Sequence, residues 1–497
     1  MINEESYLLK KSELKNYIEP FIFEQLNKET YTCKRKSANS LLTWNRFDLA
    51  FKLFYLDMKA KNLKLATDIY AQDIKAQTLG EFKEFGSTTK DSFEAYIQEF
   101  ETTVNSISEN GFDSQKTLIP LANNSSILNG AHRVASAIHL NKTVTCVELE
   151  LEPYIIDYKY FYDRDVSSDT LDIVANKFIE YADNVYLAFL WPSGIGFKEE
   201  AENKFSNIVY KKDIRLNAKG AHNLLTELYK HMDWSGNPED GYKGIHQKLL
   251  ECFPNFETVR VIAFQADSLE SVREIKENVR QIYNIGFSSI HITDTKEEAI
   301  RISRLIFNEN GLHFLNNAEP YKYLFLHQEL QKFLEFISKN KISIDDVVID
   351  SSTILAIYGI RKNKDLDYLS LNNIATQEDY DSHESELKYH CVNNEDLIYN
   401  PKYYFQYKGL KFISFSQLYQ MKKKRNEEKD INDCKLMDAF IEDNRIKKIV
   451  ANLKQKLFYT KIKLHRDFTL LKINILKRTG LYKPLKWLYH KIKELKK

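Results

Sequence analysis

Hydrophobic positions recur at helical spacing through most of the first hundred residues. Over 40–59, Leu42, Phe47, Leu49, Ala50, Leu53 and Phe54 fall near the 3.6-residue period. The pattern repeats over 92–107, after a Gly-Ser-Thr-Thr-Lys-Asp loop at 86–91 with helix-start chemistry. Residues 1–100 are therefore expected to be mostly packing helices. Beyond 117 the pattern changes. Short apolar runs at 117–121 and 143–149 predict strands, Asn123-Asn-Ser-Ser126 predicts a hairpin-type turn, and 134–140 predicts a helix. Residues 154–320 alternate apolar runs (185–191, 259–264, 289–295) with helical stretches (222–232, 269–283, 296–307). Such βα alternation predicts a mostly parallel sheet, with ligands at the carboxyl ends of its strands. A boundary falls at Glu319-Pro320. Past it, a helix over 323–338 leads into strand, tight turn, short helix, basic loop and second strand over 347–369, with a later strand at 410–415. From Arg445 an apolar stripe of Ile446, Ile449, Val450, Leu453 and Leu457 opens a helical tail. Gly480 breaks it, and Pro484 starts a last helix with Leu485, Leu488, Ile492 and Leu495 on one face.

The expected fold class is α/β (mixed α+β) and multidomain. It comprises a helical region over 1–100, a strand–loop–helix–strand segment over 101–153, and a central alternating α/β domain over 154–320. A second α/β module over 321–444 and a basic helical tail over 445–497 complete it. The length, 497 residues, suits about three domains. Sparse Gly (15) and Pro (9) argue against flexible linkers and a many-turned all-β fold. Five scattered cysteines with no Cys-x-x-Cys pair support neither a disulfide framework nor a zinc ribbon, and fit a reducing compartment. Residues 1–14 carry charges of both signs, so no signal peptide is expected, and no apolar run reaches the length of a membrane span.

Charge sharpens the tail. From Lys447 onward there are 16 Lys or Arg and 2 acids, a net +14 against a whole-chain charge of +1, which leaves the body at about −13. An acidic body argues against duplex DNA as a partner. Lys486, Lys491, Lys493 and Lys496 mostly lie off the apolar face of the last helix, and Trp487 and Tyr489 flank it. A basic amphipathic helix of this kind reads as an element for an anionic membrane surface, with RNA or an acidic protein as competitors.

The strongest chemical signal is Asp365 and Asp367. On a strand, residues two apart share a face. With Arg361 and Lys364 just before them, the pair can hold a divalent cation and a polyphosphate; the alternative is a surface turn of mixed charge. This stretch resembles the nucleotidyltransferase superfamily, which has a small-residue turn after a first strand, a short helix and an Asp-x-Asp strand. Ser351-Ser352 stands where the family usually has Gly-Ser, and Asp365-Leu-Asp367 where it has its metal-binding pair. The resemblance covers about 323–442 and includes 421–433, similar to a closing helix in some members. It implies Mg2+ on Asp365 and Asp367, phosphate donors at Ser351 and Ser352, and charge compensation by Arg361 and Lys364. The family's third carboxylate has no counterpart on 410–415. The acidic loop 379–384 is either a further ligand source or simply solvated.

Two upstream stretches carry further candidates. Gly130 permits a tight turn before a helix, and the free N–H groups there, with His132 and Arg133, make a candidate phosphate or nucleotide site. The alternative is that Arg133 ties the loop down. Strand–Ile-Leu-Asn-Gly-Ala-His-Arg–helix–strand resembles the ParB/sulfiredoxin-like fold over about 100–150. Ala131 replaces the sulfiredoxin nucleophilic Cys, which excludes that chemistry, and Asn129 replaces an Asp common in other members. In the central domain, Gly220-Ala-His222 repeats the Gly-Ala-His pattern, and His291 and Asp294 lie where a strand meets its helix. These too are candidate phosphate ligands, with Asp294 or Thr295 as a plain helix cap the alternative. P-loop and Gly-x-Gly-x-x-Gly fingerprints are absent.

The ending Gly-Leu-Tyr-Lys-Pro-Leu-Lys-Trp-Leu-Tyr is similar to tails of bacterial surface-polysaccharide enzymes. Together these resemblances imply a transferase of capsule or lipooligosaccharide biosynthesis, cytoplasmic and peripheral on the inner face of the cytoplasmic membrane. It would move a nucleotidyl or substituted phosphoryl group from an activated nucleotide donor to a sugar hydroxyl of a glycan acceptor. A glycosyltransferase with its sugar nucleotide in 154–320, and a non-catalytic nucleotide- or glycan-binding scaffold, are the alternatives.

Overall fold

The computed structural model describes residues 6–83, 89–194, 196–371, 380–441, 445–486 and 491. The chain is mixed α/β, and its described strands form three sheets. The first contains β1 (Ser6–Lys10), β2 (Thr30–Ser37), β3 (Ile119–Leu121) and β4 (Thr143–Glu148), in the order β1-β2-β4-β3. Along β2, Tyr31 and Cys33 are buried while Thr30 is exposed and Thr32 and Lys34 are half-buried, the alternation of a half-buried strand. Polar pairs bind β2 to β4, with Lys34 on Glu148 and Arg35 on Thr143. The first hundred residues are thus not helical alone. Their two described strands pair with each other and, through β2, with β4, so 1–100 and 101–153 share one sheet. A buried ion cluster of Arg46, Asp48, Lys52 and Asp73 links the helices Asp48–Met58 and Leu63–Gln77.

The second sheet holds β5 (Val185–Leu190), β6 (Ile208–Ile214), β7 (Val259–Gln265) and β8 (Ile290–Ile292), in the order β6-β7-β5-β8. All its pairings are antiparallel, which corrects the expected parallel sheet. Each pair of same-sense strands has an opposed strand between them, the split-βαβ arrangement. Local periodicity marks the helices but does not reveal which strand inserts between two others. The helix Leu269–Tyr283 shows why the local signal is sound. Ser268 caps it by accepting from the Ser271 N–H, and Val272, Ile275, Val279 and Tyr283 form its buried stripe.

The third sheet contains β9 (Val347–Asp350), β10 (Leu366–Ser370), β11 (Tyr380–Ser382), β12 (Tyr404–Tyr407) and β13 (Leu410–Ile413), ordered β11-β10-β9-β13-β12. The helix Phe325–Lys339 packs on it, with Phe333 and Phe336 against Tyr368 and Tyr380. One apolar core runs from the N-terminal helices through the central sheet into this third module.

The tail helix Arg445–Arg478 rests on the helix Ile245–Cys252, with Ile462 buried. Leu464, Phe468, Leu471 and Ile475, on one helical face, are exposed, as are Leu453 and Leu457. The side chains of Ile446, Ile449 and Val450 lie outside the described residues, as do Trp487, Leu488, Tyr489, Ile492, Lys493, Leu495 and Lys496. Among the described residues, no helix is long and apolar enough to cross a membrane.

Candidate functional site

β9 ends at Asp350, and the antiparallel register sets it directly opposite Asp367 of β10. Opposed residues on paired strands project to the same face, so the two carboxylates are neighbours. Asp350 is fully buried. Its Oδ1 accepts from the Ser351 N–H at 2.6 Å, and its Oδ2 lies 3.1 Å from His383 Nδ1 and 3.2 Å from His390 Nε2. Gln417 Nε2 stands 3.3 Å from the other ring nitrogen of His390, Nδ1. Burial opposes ionisation of Asp350, yet the hydrogen bonds from His383 and His390 hold its carboxyl far below the usual range.

His383 also reaches Asp367, its Nε2 standing 3.5 Å from Oδ2. Burial works against protonation of this imidazole, and its bond to Asp350 together with the two negative charges overcomes burial and raises it. Asp367 is raised in turn by burial, against the pull of His383, with Asp365 and Asp350 adding repulsion. Asp365 lies just before β10 and is exposed, its backbone carbonyl held by Asn363 Nδ2 at 3.1 Å and Thr353 Oγ1 at 3.4 Å. The pair seen in the sequence is therefore asymmetric, one carboxylate in solvent and one packed against a histidine.

The turn between β9 and the short helix Ser352–Ile357 keeps a glycine geometry without the glycine. Ser351 has φ 59° and ψ −132°, a region that L side chains adopt only under strain. Ser352 Oγ is buried with no protein partner. Buried hydroxyls are normally satisfied, so this one is available to a ligand at the turn.

The basic loop is less free than its sequence implies. Arg361 is bidentate on Asp433, at 2.5 and 2.7 Å, while Lys364 is exposed. Asp433 also receives Lys422 at 2.9 Å, and Arg425 chelates Asp430 at 2.7 and 2.8 Å and reaches Glu386. The basic end of the helix Phe415–Arg425 and the acidic start of the helix Glu428–Ile441 thus lock together behind the site. Among the described residues, no group of three or more His, Cys, Asp or Glu is arranged to hold a metal ion. Asp350 is the third carboxylate beside the pair, but both its oxygens already accept hydrogen bonds.

Sequence reasoning missed Asp350, His390 and Gln417. It met His383 only as part of the acidic loop, of which Asp379 lies outside the described residues. The available signal was an Asp closing a buried strand just before a small-residue turn.

The upstream candidates lie elsewhere, and those around Gly130 are engaged internally. Gly130 has φ 89° at the start of the helix Ala131–His139, and a Cβ there would stand 2.9 Å from Ile119 Cδ1. Arg133 bonds Thr117 and sits 3.1 Å from Glu19, which ties the loop down. His132 Nε2 lies 2.7 Å from the Tyr70 hydroxyl, and burial pushes its pKa well down. His222, beside His246, is lowered to about 4 by burial, with its Nε2 buried and unpartnered. His291 packs on Phe189 and Tyr229 near Glu298; Thr295, not Asp294, caps the helix Lys296–Ile306, and Asp294 is exposed.

No protein-family model, curated protein or solved structure matches the chain.

Proposed function

We propose that the chain is a transferase of bacterial surface-glycan assembly whose chemistry centres on Asp365 and Asp367. It would transfer a nucleotidyl or substituted phosphoryl group from an activated nucleotide to a sugar hydroxyl. The acceptor oxygen would bond to phosphorus as the bond to the leaving phosphate breaks, with the hydroxyl proton passing to water. The observation that carries this reading is the carboxylate face beside a turn whose Ser352 hydroxyl is buried without a partner. Mg2+ fits such a pair, because it is commonly held by one or two carboxylates and completed by water and substrate phosphates. Asp367, raised by burial and by neighbouring negative charge, gains from an approaching cation. When bound, the ion offsets negative charge on the phosphates. Ser352 would donate to the phosphate, Lys364 would meet it from solvent, and Arg361 would act from its seat on Asp433. The tail would place this site at an anionic membrane, where lipid-linked glycans are built.

The test is a thermal-shift screen of the full chain against nucleotides and nucleotide-activated sugars or alcohols, with and without Mg2+. A ligand that binds only the native state raises the melting temperature by mass action. Asp365→Asn with Asp367→Asn abolishes the Mg2+-dependent shift; a shift that survives in that variant overturns the assignment. A second reading, nucleotide binding without turnover, is favoured by the engagement of Asp350 with two histidines and of Arg361 with Asp433. Transfer of labelled phosphate to an acceptor separates the two.

A further inference from the structure

A cavity of about 620 Å³ lies between the helices Ala218–Tyr229 and Lys296–Ile306 and the β12–β13 turn. Its size is that of an ordinary small-ligand pocket. β12 is the outer edge of its sheet, on the opposite side of β9 from β10, so the cavity is distinct from the carboxylate pair. Ile300, Leu305 and Tyr407 supply apolar wall, while Lys230, Arg301, Arg304 and Lys408 line it with positive charge.

The cations outnumber their partners. Glu227, the buried acid, takes Lys230 at 2.7 Å and Arg301 at 2.8 Å, and Arg304 pairs with Glu180 at 3.3 Å. Glu297 stands exposed at the rim, where water screens it. Lys408 has no carboxylate within ion-pair distance among the described residues. Its Nζ instead lies 2.9 Å from His327 Nδ1, an imidazole held to about 4 by burial and by Lys408 itself, hence a neutral acceptor. Burial, and after it the charge of Lys230, push Lys408 down to about 8 against the pull of Glu227.

The backbone points the same way. Lys408 and Gly409 form the two-residue hairpin turn with φ 51° and 79°, both left-handed. Asn, Asp or Gly usually occupies the first of these positions, because a longer side chain is strained there. Lysine at this place puts a cationic side chain on the cavity wall at the expense of turn geometry.

We propose that this cavity binds the phosphate or diphosphate group of a small molecule, with Lys408 as its principal donor and Lys230 and Arg301 beside it. Tyr407 and Leu305 would face the remainder of the ligand. The proposal does not rest on the carboxylate-pair reading, and its test excludes metal-dependent binding there.

The experiment is isothermal titration calorimetry of the full chain with inorganic pyrophosphate in EDTA. Saturable binding is expected, weakened about tenfold or more in Lys408→Gln, the loss of one charge-assisted hydrogen bond. Lys408→Arg, which keeps charge and donors, retains binding. So does Asp365→Asn with Asp367→Asn. Lys408→Gln leaves Glu227 paired with Lys230 and Arg301, so the buried acid is not stripped. Absence of saturable heat, unchanged affinity in Lys408→Gln, or loss of binding in the Asp365/Asp367 variant would each overturn the proposal.

Discussion

Asp350 and Asp367 face each other across β9 and β10, and the imidazole of His383 reaches both, Nδ1 to Asp350 and Nε2 to Asp367. This divides the three carboxylates by role. Asp350 anchors two histidines and the turn backbone, Asp367 sits between that anchor and the site, and Asp365 faces solvent.

The division predicts opposite responses to truncation. Asp350→Ala leaves the buried His390, the half-buried His383 and the Ser351 N–H without their acceptor, and should cost about 3–5 kcal/mol. Asp365→Ala touches only an exposed side chain and should stay within about 0.5 kcal/mol. Urea unfolding of the two variants measures this. If Asp365 proves the more costly, the anchoring role is misplaced.

The turn at Ser351 yields a second expectation. Both Ser351→Ala and Ser351→Gly lose the hydroxyl, but only glycine relaxes the backbone at φ 59°. Glycine also loses more freedom on folding, which partly offsets the gain. The Gly variant should still exceed the Ala variant by about 1 kcal/mol in unfolding free energy. Equal stabilities would mean that the turn is unstrained.

What could be read in advance was local. The stripe Val272, Ile275, Val279 and Tyr283 repeats within one helix, and Asp365 and Asp367 are two residues apart, so both signals sit inside a short window. The rest required long-range pairing. β6 carries Lys211, Lys212 and Asp213, and becomes a strand by pairing with β7, where Asp213 meets Arg260 at 2.9 Å. His383 and His390 lie 33 and 40 residues beyond Asp350, and they reach it only after β11 pairs with β10 and the following segment folds back. The cation excess around Lys230, Arg301 and Lys408 is likewise invisible in sequence, because its members come from two helices and a hairpin.

A buried lysine gives a pH-dependent prediction. Lys411 donates to the carbonyls of Asp345 and Ile398 at 2.5 and 2.8 Å, between the rings of Tyr399 and Tyr404, and burial pushes it down to about 8. Its pKa is lower folded than unfolded. Between about pH 8 and 10 the unfolded chain therefore holds a proton that the native state has released, and stability rises with pH across that window. Relative to Lys411→Met, the wild type should gain about 2 kcal/mol from pH 8 to 10, measured by urea unfolding at each pH. A flat difference would mean that Lys411 keeps an ordinary pKa.

The tail offers the last test. Leu464, Phe468, Leu471 and Ile475 leave an apolar face open on a helix of 34 residues, and Lys461, Lys463, Lys472 and Lys477 are exposed along the same stretch. Two copies docking by this face would bring two strongly basic helices together, whereas an anionic bilayer accepts the apolar stripe and the lysines at once. Each lysine near such a surface contributes about 1 kcal/mol, reduced by salt. The full chain should therefore sediment with phosphatidylglycerol vesicles, far less with phosphatidylcholine vesicles, and less as salt rises. Leu464→Gln with Phe468→Gln and Leu471→Gln should reduce sedimentation while leaving the melting temperature unchanged, because all three side chains are already exposed. Equal binding to both lipids, or undiminished binding by the triple variant, would remove this face as the membrane contact and leave the exposed stripe to a protein or RNA partner.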